Sequence, residues 1–315
     1  MLHIDPSWHD DQKLAAFQAH IEQGGQVEAT DWMPDEYRNR VLRFVEMHAN
    51  SEIMGALPER DWILRAPTLK RKLALTAKIQ DEVGHGHLLY RLAEDLGKSR
   101  EAMLEDLIAG KTKFHNVFHY PTFSWGDVGV IAWLVDAAAI LSQSALLRSS
   151  YAPYARTMKR ICWEEAFHLK QGEDIVLSLA GGTPAQKAMV QEALNRWWMP
   201  LMMFHGPATP PEKDGDLKWR IKGKHNEELR QEFLHTYVPK ILEIGLTIPD
   251  PKLRFDEASG LWDYTRPDWT ELYSVVTGHG PRSQERLAQR RLAWEESQWV
   301  RDAILGRHPV PAAAD

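Results

Sequence analysis

Apolar residues recur at helical spacing through the first two thirds of the chain, interrupted by capping and breaking residues rather than by turns between strands. Pro34 opens a predicted helix that runs to about Leu57 and stops before Pro58, with Val41, Val45 and Ala56 on one face. Pro67 in a first turn begins a long helix ending near Gly97, with Leu75 and Leu89 on its apolar stripe. Ser99 caps a short helix to about Ala109, and 111–123 reads as loop. Ser124 with Asp127 three residues on makes a capping box for a helix over 125–150. Pro153 starts the next, which closes at Gly181-Gly182, and Thr183-Pro184 starts one through about Met203. Runs of alternating β-branched residues are missing, so the prediction is an all-α fold. The pattern changes at 204–218, FHGPATPPEKDGDLK, a connection rich in Pro, Gly and charge. After it come a helix near 226–245, an irregular stretch to about 280 and a polar helix over 282–305. The division expected is an N-terminal arm (1–33), a helical bundle (34–203) and a C-terminal extension (204–315).

One run, 128–147, is long enough to span a bilayer. Asp136 stands in its middle, and a mid-membrane acid is expensive, so the run reads as the buried helix of a bundle. Composition agrees: 43% hydrophobic and 26% charged residues in 315 describe a globular chain with a core. A net charge of −6 gives no electrostatic footprint for nucleic acid. The single cysteine, Cys162, excludes internal disulfides, cysteine-held iron–sulfur clusters and thiolate zinc sites. No secretory signal is visible in MLHIDPSWHDDQK, and a cytoplasmic protein that binds neither membrane nor nucleic acid is expected.

The 14 histidines change the picture where they follow acids. Asp81-Glu82-Val-Gly-His85 and Glu164-Glu165-Ala-Phe-His168 each place a carboxylate and an imidazole three residues apart, side by side on one helical face. Glu232-Phe-Leu-His235 repeats that spacing, but Met202 and Met203 stand about thirty positions before Glu232. Glu82 has Glu52 at that separation and Glu165 has Asp136, roughly what a helical hairpin needs to bring two side chains level. Phase agrees: Glu52 shares the face of Val41 and Val45, Asp136 that of Trp133 and Ile140, and Glu165 that of Met158, Ile161 and Leu169. Four carboxylates and two histidines therefore point inward from four helices. Burying four acids is prohibitive without countercharge, which a pair of metal ions supplies. Oxygen-rich ligands with two imidazoles suit iron or manganese better than zinc. The long segment between Glu82 and Asp136 fits the crossover of a ferritin-like four-helix bundle.

Three neighbours invite a role. Asp81 and Glu164, each four residues before a histidine, are either acceptors for the ring nitrogens across the site or ordinary acids at the bundle edge. Lys78, one turn before Glu82, is either a lysine snorkelling to the bundle end or a cation that holds Glu82. Gly84 and Gly86, costly inside a helix, mark close helix approach or a bulge.

The stretches TDWMPDEYR, SEIMGALPERDWILRAPTLKRK, AKIQDEVGHG, YPTFSWGDVGVIAWLVDAAAI, SYAPYARTMKRIC and NRWWMPLMMF resemble the catalytic A subunits of the ring-1,2-phenylacetyl-CoA epoxidases, bacterial multicomponent monooxygenases of aerobic phenylacetate catabolism. The likeness runs from about residue 28 to 303 and includes LRFDEASG and QERLAQRRLAWEESQWVR. The resemblance implies a ferritin-like di-iron oxygenase that epoxidises the ring of phenylacetyl-CoA with O2 and electrons originating in NADPH. It puts the metal ligands at Glu52, Glu82, His85, Asp136, Glu165 and His168, the residues that spacing reaches independently. It implies a separate flavin/iron–sulfur reductase, a small accessory subunit, and a non-catalytic ferritin-like sister subunit. It places coenzyme A contacts around Arg43, Lys113, Lys222 and Asn226, although the segment after Lys113 varies in the family and reads His115-Asn116 here. Arg43 stands nine residues from Glu52, about 13.5 Å along a helix, a suitable offset for a phosphate contact. Iron storage would use the same ligands but needs no extension after the bundle. A purely structural ferritin-like subunit would have lost ligands, and a radical-generating di-iron protein has Tyr90 available.

Overall fold

A computed structural model describes residues 2–307. In chain order the helices are α1 (Asp10–Glu22), α2 (Asp35–Arg60), α3 (Leu69–Glu94), α4 (Arg100–Ile108), α5 (Trp125–Val130), α6 (Asp136–Ser144), α7 (Ala152–Ala180), α8 (Pro184–Met202), α9 (Gly215–Lys218), α10 (Asn226–Glu243), α11 (Trp269–Ser274), α12 (Ser283–Glu296) and α13 (Gln298–Ile304). An antiparallel hairpin of β1 (Arg254–Asp256) and β2 (Leu261–Asp263) lies between α10 and α11, pairing Phe255 with Trp262. The fold is all-α, a ferritin-like bundle in which α2 packs along α3, α3 on α7, and α7 on α5–α6.

The caps explain the boundaries. Thr68 accepts from the Arg71 amide, Ser99 from Ala102, and Ser124–Asp127 and Thr183–Gln186 form reciprocal capping boxes. Pro58 does not stop α2, which continues to Arg60. In this last turn Pro58 is buried and the next residue, Glu59, is drawn into an ion pair with Lys78. The helix expected over 125–150 ends at Ser144 and contains a π-helical turn at Ile131–Val135. A π turn inserts a residue and shifts helical phase, and this one immediately precedes Asp136. The C-terminal helix is broken at Ser297, residues 10–22 of the arm are helical, and 116–119 of the expected loop form a 3-10 turn.

Two glycines permit backbone contact. A Cβ on Gly86 would sit 2.5 Å from Ile53 Cγ1, and one on Gly172 would sit 2.0 Å from the Ala132 carbonyl carbon. Gly86 therefore marks close approach of α2 and α3, and Gly172 lets α7 lie against the π turn. Gly84 meets nothing within 4 Å. The helix of 125–144 is long and apolar enough to cross a membrane, but 72% of its most apolar stretch is buried within the fold. Trp133, Trp197 and Trp198 join it in one core, and Phe17, Tyr37 and Trp219 belong to a second around α1–α3.

The extension is clamped to the bundle at His119. Its ring stacks on Phe114 at 3.8 Å, its Nδ1 is 2.7 Å from Ser283 Oγ, and its carbonyl accepts from the Arg282 amide. Burial holds the imidazole down to about 4 from an ordinary 6.5. The folded state therefore binds fewer protons than the unfolded one, and stability is lost as pH falls from about 6.5 toward 4, by up to about 3 kcal/mol. Urea unfolding at pH 7 and pH 5 should show a larger loss in the parent than in His119→Asn; an equal loss in both would exclude this group as the source.

Candidate metal centre

The six acids and histidines singled out by spacing converge in the middle of the bundle, none more than 8% exposed. Glu52 comes from α2, Glu82 and His85 from α3, Asp136 from α6, Glu165 and His168 from α7. They form two overlapping groups, Glu52–Glu82–His85–Glu165 and Asp136–Glu165–His168, each with one ligand atom per residue within 4.8 Å of the others. Glu165 belongs to both.

The imidazoles are aimed in the same sense. His85 Nε2 lies 2.9 Å from Glu164 Oε2 on α7, and His168 Nε2 lies 3.2 Å from Asp81 Oδ2 on α3. Each helix thus supplies the acid that steadies the other helix's histidine, and a carboxylate acceptor fixes the proton on Nε2. The Nδ1 atoms face inward, His85 Nδ1 at 3.4 Å from Glu165 and 3.6 Å from Glu52, His168 Nδ1 at 3.0 Å from Glu165. Without metal these inward nitrogens keep a proton despite burial and donate to the carboxylates, which pushes His85 up to about 10 and raises His168; a pair of hard-to-borderline cations that displaced those protons would meet two imidazole lone pairs beside four carboxylates.

Electrostatics give the same picture. Burial raises Glu82, and the charge of Glu165 raises it further, well above the ordinary carboxylate range. Burial pushes Asp136 up to about 7, although the Lys78 ammonium opposes the shift. Burial opposes the charge on Glu52 and Glu165 too, but hydrogen bonds from His48 and His85 hold Glu52 well below the ordinary range, and those from His168 and His85 hold Glu165 at about 2. A cluster that ionises so unevenly lacks positive charge, which bound metal ions could supply.

Lys78 does not snorkel. It is 2% exposed, with Nζ 2.6 Å from Glu59, 2.8 Å from Asp136 and 3.6 Å from Glu82. Its partner Glu59 was not anticipated, nor was His48, whose Nε2 lies 2.8 Å from Glu52 Oε1 while Tyr154 holds its Nδ1, nor Gln143, which reaches Glu52 at 3.4 Å. The signal was present: His48 stands four residues before Glu52, while Glu59 and Gln143 stand seven after Glu52 and Asp136, all on the same helical faces. The third acid–histidine pair stays apart, since His235 bonds the carbonyls of Gln231 and Gly260. Tyr90 is tied to Asn50.

A cavity of about 330 Å³ opens from the cluster. Glu52, Glu82, Asp136, Glu165, Lys78 and Glu59 line it, and so do Lys222 and Asn226. Lys222 is held by Asp214 at 2.9 Å and by Asn226 Oδ1 at 2.8 Å. Arg43 and Lys113 are exposed and do not line the cavity. The Lys113 loop is fastened to α2, because Asn50 donates to Thr112 Oγ1 and the Lys113 carbonyl.

Two comparisons bear on this arrangement. The family described as Phenylacetic acid catabolic protein matches residues 13–299. Over 291 residues, 92% of this chain and 94% of the other, the sequence is 50% identical to the A subunit of the 1,2-phenylacetyl-CoA epoxidase of Escherichia coli (strain K12).

Proposed function

The chain belongs to the phenylacetic acid catabolic protein family, and from that premise we propose that it is the oxygenase subunit of a phenylacetyl-CoA 1,2-epoxidase acting in aerobic phenylacetate degradation. The observation that carries this reading is a buried carboxylate–histidine cluster at the inner end of a largely apolar cavity with a cation in its wall. Glu52, Glu82, His85, Asp136, Glu165 and His168 would hold two iron ions, with manganese the alternative the same donors accept. Bound iron would supply the redox chemistry, spending two electrons and two protons on O2 to place one oxygen atom on the ring and release the other as water.

The protein's own part is binding and orientation. Asp81 and Glu164 keep the imidazoles in the tautomer that presents Nδ1 inward. Glu59 and Lys78 keep a buried charge pair beside Asp136, and apolar walls exclude bulk water from the ring. Residues 34–203 form the metal bundle, and 204–315 serve substrate and partner docking; Lys222, Asn226 and Leu229 of that extension reach the cavity. Residues 308–315 lie outside those described. A CoA thioester does not cross membranes unaided, which puts the reaction in the cytoplasm. Among the described residues there is no dinucleotide-binding glycine loop, and one cysteine cannot hold an iron–sulfur cluster. Electrons therefore arrive from another polypeptide, which the family resemblance makes a flavin/iron–sulfur reductase fed by NADPH. Two further chains, a small accessory subunit plus a non-catalytic sister subunit, complete the assembly.

The anionic end of CoA docks on Lys222 and Asn226, with Arg43 and Lys113 reached outside the cavity. Lys222→Ala should weaken phenylacetyl-CoA binding about tenfold at low salt, Arg43→Ala less, with both effects shrinking as ionic strength rises. Calorimetric titration at two salt concentrations checks this, with metal content as a control that should not change. Parent-like binding in both variants would misplace the phosphates.

A further inference from the structure

Two histidines in the cavity wall, His205 buried and His115 half-buried, each have one ring nitrogen without a hydrogen-bond partner among the described residues. His115 Nε2 lies 2.9 Å from the Phe204 carbonyl, so it carries the proton and Nδ1 is a bare acceptor; that Nδ1 is buried without a partner. His205 Nδ1 lies 3.1 Å from Ser142 Oγ, and the Ser142 hydroxyl has no other partner among the described residues. Where the half-buried Ser142 hydroxyl donates to Nδ1, the proton of His205 sits on Nε2, which is also buried and unpartnered. Burial holds His115 down to about 4 and His205 well below its ordinary value, the latter helped by Arg230, His115 and Lys222 nearby. Both rings are therefore neutral at pH 7.

The pair thus offers one acceptor and one donor and no charge. Leaving a buried donor or acceptor unmade is costly. An ionised phosphate or carboxylate only accepts, so it would leave the His115 acceptor unmade, and a hydrocarbon would satisfy neither atom. A secondary amide, with one carbonyl and one N–H, satisfies both. The rings are well fixed: their centroids lie 3.8 Å (His115) and 5.2 Å (His205) from that of Phe204, and the His115 amide donates to Ser51 Oγ, next to Glu52. Apolar side chains of the same cavity include Phe44, Met47, Phe118, Val135, Ala139 and Leu229.

We propose that His115 and His205 are positioning residues that grip the secondary amide of the substrate's thioester arm, His205 Nε2–H donating to its carbonyl and His115 Nδ1 accepting its N–H. This deepens the assignment of phenylacetyl-CoA as substrate and rests on it. Gripping the arm at the amide next to the thioester would set how far the ring reaches toward the metal cluster.

Calorimetric titration of the full-length chain with three phenylacetyl thioesters tests this. They are phenylacetyl-CoA, S-phenylacetyl-N-acetylcysteamine, which has the amide and no phosphate, and the S-butyl thioester, which has neither. His205→Phe should weaken the first two about tenfold and leave the third unchanged. His205→Gln, which keeps an N–H donor, should bind all three nearly as the parent does. His115→Phe should repeat the amide-selective loss. Unchanged binding of the N-acetylcysteamine thioester to His205→Phe, or an equal loss for the S-butyl thioester, would overturn the pairing alone. A parent that binds none of the three would overturn the substrate assignment, and the pairing with it.

Discussion

Glu165→Ala should leave a helical protein that neither retains two metal ions nor turns over. Glu165 is the residue common to both ligand groups, and hydrogen bonds from His85 and His168 favour its charged form even in the interior. Removing a mere hydrogen-bond partner of a ligand already lowers metal affinity by about 10–100-fold, so losing the shared ligand should exceed that and put activity below detection. The fold should survive, because four buried carboxylates repel one another and deleting one relieves part of that cost. Metal analysis after dialysis and far-ultraviolet circular dichroism, read together, check both halves. Parent-like activity and metal content in this variant would mean that the shared ligand has been misassigned.

Gly172→Ala should be the most damaging conservative substitution outside the ligands. Its Cβ would fall 2.0 Å from the Ala132 carbonyl carbon and 2.2 Å from the Trp133 nitrogen. Both are backbone atoms of the π turn, so no side-chain rotation relieves the clash. Overpacking of this kind costs about 3 kcal/mol or more, which the gain of about 1 kcal/mol in helix propensity does not offset. Net of that gain, at roughly 2 °C per kcal/mol for a chain of this size, the melting midpoint should fall by roughly 4 °C or more. The turn displaced is the one that leads into Asp136, so metal loading should fall as well. Gly84→Ala on α3, where nothing lies within 4 Å, provides the control and should be neutral or stabilising by up to about 1 kcal/mol. Equal melting midpoints for the two variants would show that α7 does not depend on this contact.

The convergence of four acids and two histidines was legible in the sequence because hairpin geometry and helical phase leave a periodic trace, and the caps at Ser99, Ser124 and Thr183 were legible because capping chemistry is local. The π turn at 131–135 was not, since nothing in IAWLV departs from an ordinary apolar helix; it arises from the packing of α7 on α5–α6, where Gly172 leaves no room for a side chain. Pro58 was read as a stop because its local effect is strong, yet burial of this last turn against the rest of the bundle carried the helix past it. The pairing of Lys78 with Glu59 could be seen only once α2 and α3 were brought together. His115 and His205 carried no signal at all, because an unpartnered nitrogen exists only once a cavity does.

The most direct test of the central claim is mass spectrometry of the product formed from phenylacetyl-CoA under isotopically labelled dioxygen, using the chain with its sister subunit, reductase and NADPH. The expected product is a thioester heavier by one labelled oxygen atom with the complete mixture, and unchanged substrate when the reductase or the sister subunit is omitted. Unchanged substrate from a complete, metal-loaded mixture, or steady NADPH-driven product from this chain alone, would contradict it.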